Sequence, residues 1–170
     1  MKRTSILVAL ALCIAIPASG AQTENIEPTN WVTVFSTDTF TSQKNGSARL
    51  IGIDGLSRLS LVCNGITEPV LSLQFRTSAF LGSTGKPVLV RIDNGQVLPL
   101  TDWSYNDKVA YTSDEAWVGR FLEMIKVGEH RIVLRALDYA DQPHDGVFIS
   151  RGAVAAITEV VEACEPAKAP

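Results

Sequence analysis

The sequence predicts an α+β fold: an antiparallel sheet or small β-sandwich of about seven strands, with two helices in the C-terminal half and one disulfide. Three observations carry this. Short runs alternating apolar and polar residues recur from Trp31 onward, the period of half-buried strands. Two stretches with a 3.6-residue apolar stripe, around Trp117 and Ala153, follow most of those runs. No strand–helix–strand rhythm links them, which argues against a parallel α/β sheet.

The elements follow in order. Trp31 to Phe40 is rich in β-branched and aromatic residues and reads as a strand. Lys44-Asn45-Gly46-Ser47 supplies turn chemistry, with Ala48 to Asp54 as the partner strand of a hairpin. Ser57 to Cys63 points Leu59, Leu61 and Cys63 inward and Arg58 and Ser60 outward. Glu68 to Thr77 repeats the pattern, with Leu71, Leu73 and Phe75 against Ser72, Gln74 and Arg76. Lys86 to Ile92 and Gln96 to Leu100 flank the turn Asp93-Asn94-Gly95, and Pro99 marks an edge. A polar loop, Thr101 to Asp107, carries Trp103 and Tyr105. Thr112 and Glu115 have capping-box spacing, and Trp117, Phe121, Leu122 and Ile125 form the stripe of the first helix, with Gly128 placed to end it. Arg131 to Leu137 and the short Val147 to Ser150 are strands. Ala153, Ala156, Ile157, Val160 and Cys164 trace one face of the last helix, which Pro166 stops.

The N-terminus has the form of a secretory signal. Lys2 and Arg3 precede an apolar run to Ile16, then Pro17 and the small residues Ala18 to Ala21. That run is shorter than the roughly 20 residues a membrane span needs. The chain therefore divides into a signal peptide at 1–21, a flexible leader at 22–30, one globular domain at 31–165 and a tail at 166–170. Cleavage removes Cys13 with two basic residues, so the formal net charge of −3 becomes −5. A mildly acidic chain argues against a nucleic-acid partner, and no other stretch is apolar enough to span a bilayer. The mature protein is expected in an oxidising compartment, the periplasm or outside, where Cys63 and Cys164 would pair. A loop of about 100 residues contributes about 4.7 kcal/mol in the chain-entropy model.

Catalytic signatures do not emerge. There is no G-x-S-x-G elbow, phosphate loop or dinucleotide fingerprint. Asp138, Asp141, His144 and Asp145 resemble a metal cluster, but their spacing matches no calcium loop and a solvated turn accounts for them. No cofactor, metal or catalytic residue is therefore expected. Arg58, Arg76, Arg91 and Arg135 hold the outward register of four strands. The economical reading is a solvated face whose arginine stems cover apolar surface. The alternative is a shared surface, bordered by Trp103 and Tyr105, that grips carboxylates or phosphates.

From Leu59 to Cys164 the chain resembles the VasI/TagO-type proteins, small exported accessories of type VI secretion in Gram-negative bacteria. The points of likeness are Leu59 to Cys63, Val90-Arg91-Ile92-Asp93, Trp103-Ser104, Phe121-Leu122, Ile132 to Arg135, Gly152 and Val160 to Cys164. The resemblance implies a periplasmic, disulfide-bonded, non-enzymatic protein that works through an envelope protein partner. It transfers no catalytic residue and leaves the oligomeric state open. A small-ligand or cell-wall binding module using the arginine face is the alternative function.

Overall fold

The computed structural model describes residues 30–40, 42–64 and 69–165. The expected signal peptide, most of the leader and the tail lie outside the described residues. The elements are β1 (Val32–Thr37), β2 (Lys44–Ile51), β3 (Arg58–Asn64), β4 (Val70–Arg76), β5 (Val88–Ile92), β6 (Leu98–Leu100), β7 (Ser104–Asn106), β8 (Val109–Thr112), α1 (Glu115–Ile125), β9 (His130–Leu137), β10 (Pro143–Ser150) and α2 (Ala153–Ala163). The strands form two antiparallel sheets, β1-β2-β3-β4-β8-β7 and β10-β9-β5-β6. Both helices stand in the C-terminal half, so the α+β class holds, with ten strands among the described residues instead of about seven.

Alternation sets which face of each strand is buried. On the six-stranded sheet Ala48, Leu50, Leu59, Leu61, Cys63, Leu73 and Phe75 point inward and are almost fully buried. The amphipathic α2 lies on this face over β2 and β3, and α1 touches β4. The second sheet joins the same core at β10. There Phe148 meets Phe75 edge to face, with centroids 6.1 Å apart, a favoured aromatic geometry. Gly146 makes this approach possible: a Cβ there would stand 2.6 Å from the Phe75 ring. Cys63 under β3 and Cys164 at the end of α2 form the disulfide, with Cα atoms 5.4 Å apart. It ties the helix to the sheet it covers. No helix among the described residues is long and apolar enough to cross a membrane.

Several local expectations are corrected. The first hairpin turns at Asp38–Gln43, not at Asn45-Gly46. Asp38 N donates to the Gln43 carbonyl at 2.9 Å, and Ser42 adopts φ 58. Asn45 and Gly46 are strand residues: Gly46 sits opposite Phe35, and a Cβ there would stand 2.7 Å from that ring. The cap of α1 is Asp114, whose carboxylate accepts from Trp117 N at 2.8 Å; Thr112 belongs to β8. Val118 takes the buried place expected of Trp117, which is half-buried with the Arg120 guanidinium over its ring. β10 begins at Pro143 rather than Val147, because it pairs with β9 along its full length. The turn at Asp93, by contrast, joins β5 and β6 as expected, and Pro99 lies on the edge strand.

Candidate anion-binding face

The outer face of the six-stranded sheet is set by register. Arg49 faces Ser60 across β2 and β3, Ser60 faces Gln74, and Arg58 stands directly opposite Arg76 across β3 and β4. Residues opposed in an antiparallel pair project to one side, so these groups share a surface. Small side chains at its centre, Ser47 and Ser60, are shielded to 7% exposure by the longer ones around them. The result is a shallow depression of about 340 Å3 with serine on its floor and Arg49, Arg58 and Arg76 at its walls. Asn45 and Gln74 add amides. Gln74 Nε2 donates to Ser72 Oγ at 3.4 Å, and that hydroxyl in turn reaches the Val62 carbonyl at 3.3 Å.

The electrostatics are one-sided. Among the described residues no aspartate or glutamate lines the depression. Among the described residues no ion pair involves Arg49, Arg58 or Arg76. Like charges placed directly opposite in a sheet repel, and Arg58 Nε and Asn45 Oδ1 are buried there without a hydrogen-bond partner. A buried donor with no acceptor costs about 1–3 kcal/mol. An oxyanion would relieve both costs, since guanidinium forks match carboxylate and phosphate oxygens.

The four arginines expected on one surface are divided. Arg58 and Arg76 belong to the six-stranded sheet, whereas Arg91 and Arg135 lie on β5 and β9 of the other. Outward alternation assigns a residue to a face of its strand but not to a sheet, which depends on long-range pairing. On the second sheet Arg135 is neutralised: its Nε and Nη2 each reach an Asp145 oxygen at 2.6 Å. That bond holds the Asp145 carboxyl below its usual range and raises Arg135. Leu89, Arg91, Val97 and Val133 complete a smaller depression of about 180 Å3.

Trp103 and Tyr105 do not border the arginines. Both are core residues at 4% exposure, and Tyr105 lies in β7 rather than a loop. Their apolar surface outweighs their polar tips, and burial pushes the Tyr105 phenol up. The acidic cluster is a braced turn. Asp138 accepts from Ala140 N, Gln142 N and His144 Nε2 at 2.8–2.9 Å, and Lys86 reaches Asp141 at 2.7 Å. Among the described residues no three His, Cys, Asp or Glu side chains converge as metal ligands. Asn45 falls in the stretch whose composition reads as a turn; with the turn at Asp38–Gln43, alternation along β2 puts it with Arg49 on the outer face.

No family model, curated protein or solved structure matches the chain.

Proposed function

We propose that this chain is an exported, non-enzymatic binding module that recognises an anionic group through the outer face of its six-stranded sheet. One observation carries the reading: Arg49, Arg58 and Arg76 converge on a depression that no carboxylate lines among the described residues. Hydroxyl and amide side chains beside them suit orientation of a carboxylate or phosphate. The signal-like N-terminus and the Cys63–Cys164 pair support a periplasmic setting. The likeness to VasI/TagO-type proteins supports an accessory role in which the anionic group belongs to an envelope component.

Calorimetric titration of the mature protein with inorganic phosphate and with citrate tests the binding function. Binding should weaken at least about tenfold, the equivalent of 1.4 kcal/mol, in Arg58→Met with Arg76→Met, while the melting temperature does not fall. Equal loss in Arg91→Met, or no binding by the unaltered protein, would refute it.

A further inference from the structure

β1 is the outermost strand of the six-stranded sheet, and among the described residues it pairs only with β2. Its six residues, Val-Thr-Val-Phe-Ser-Thr, contain no charge and no proline, and their register with β2 runs without a bulge. Those are the devices that usually keep an edge strand from pairing. The other sheet edges are managed differently. β6 and β7 have three residues each, β6 includes Pro99, and on β10 the Val147 carbonyl accepts from Ile53 N at 2.8 Å. β1 is thus the long open edge among the described residues.

A groove of about 410 Å3 runs beside it, between β1 and the last turns of α2. The Phe35 ring lies in it, 45% exposed, over Gly46 and beside Ala163. Glu159 and Glu162 line the helix side, exposed and without an ion-pair partner among the described residues. Lys44, opposite Thr37 in register, closes one end.

We propose that β1 takes up an extended segment of a partner protein whose groove-facing side chains, every second residue of the strand, are in turn apolar and basic. Backbone pairing supplies the affinity, as in other strand-addition interfaces. Apolar side chains pack on Phe35, and basic ones meet Glu159 and Glu162. A second copy of β1 brings no basic residue to the two glutamates. The chain's own leader brings Glu24 and Glu27, which they repel. The groove lies on the helix-covered side of the sheet, opposite the arginines, so this inference stands independently of the anion site.

The test uses the full mature chain and two synthetic octapeptides with threonine at every second position; between the threonines one alternates valine with lysine and the other valine with glutamate. The lysine peptide should bind and slow amide hydrogen exchange across Val32–Thr37 by about tenfold, leaving citrate affinity unchanged. Glu159→Lys with Glu162→Lys, both surface changes, should reverse the preference towards the glutamate peptide. Phe35→Ala should weaken binding of either. The proposal is overturned by equal binding of both peptides, by no binding, or by binding that leaves β1 amides unprotected. Protection that appears without peptide and rises with protein concentration would assign the edge to a second copy and overturn it equally.

Discussion

The two sheets present arginines in the same outward register but treat them in opposite ways. On β9, Arg135 finds Asp145 one strand away and forms a bidentate pair. On β3 and β4, Arg58 finds another arginine. The first arrangement neutralises itself, and its carboxylate is part of the fold. The second leaves its charge and a buried guanidinium donor unanswered. Residue type and alternation are identical in the two places; the cross-strand neighbour decides whether an arginine is neutralised within the sheet or keeps its charge.

The sharpest way to break this contrast is to loosen the sheet beneath the arginines. Cys63 lies on the inner side of β3, and its bond to Cys164 holds α2 against that strand. Reducing it, or replacing both cysteines with alanine, should cost about 2–5 kcal/mol in urea denaturation and weaken anion binding as well. Full stability after reduction would show that packing alone holds the layers.

Exchange of charges comes next. Arg76→Glu should place a carboxylate opposite Arg58, mimic the Arg135–Asp145 pair and abolish citrate binding, with melting temperature unchanged or raised. The reciprocal change, Asp145→Asn, removes an exposed pair worth up to about 1 kcal/mol. It should leave citrate binding intact and lower the melting temperature slightly. If Asp145→Asn abolished binding, the two faces would not be distinct. Raising salt from low ionic strength to 0.5 M should weaken citrate binding markedly, because exposed charges are screened over about 10 Å at 0.1 M. Salt-independent affinity would mean that contacts other than the arginines dominate.

The smallest expected effect lies in the second sheet's own bracing. His130 Nδ1 faces Asp93 Oδ2 at 2.8 Å and Nε2 faces the Val127 carbonyl at 2.7 Å. Both ring nitrogens meet acceptors, so the imidazolium is favoured and the His130 pKa rises above 6.5, chiefly through Asp93. A raised value in the folded state means that this clasp contributes fully below pH 6.5 and fades as pH climbs through the folded pKa. Asp93, held below 3.8 chiefly by His130, defines the acid side: its contribution is present above that value and fades as pH falls through the lowered pKa. An NMR titration of the imidazole protons should give a His130 midpoint above that of Asp93→Asn, with citrate affinity unchanged. Equal midpoints would remove the clasp.

Much of the fold was legible because alternation and turn chemistry are local. Leu59, Leu61 and Cys63 were read inward and are buried, and the stripe from Ala153 to Val160 faces the core. The errors came where a tertiary partner overrode a local signal. Asn45-Gly46 has hairpin chemistry, yet Phe35 needs the space that glycine leaves. Trp103 and Tyr105, in a polar stretch, gain more from burial than from exposure. Two of the three arginines of the candidate site, Arg58 and Arg76, follow from alternation alone; that Arg49 joins them depends on the pairing of β2 with β3.

The sequence by itself determined the fold class, the cysteines able to pair, and the side of its strand on which each arginine projects. These depend on residue type and on a period of two, which neighbouring residues enforce. Only the tertiary structure decided which arginines stand together. Division into two sheets is settled by strands far apart in the chain, where β4 pairs with β8 while β5 pairs with β9. The physical reason is that a guanidinium is neutralised or left free by whatever stands about 5 Å away across the sheet, and alternation along one strand carries no information about the next.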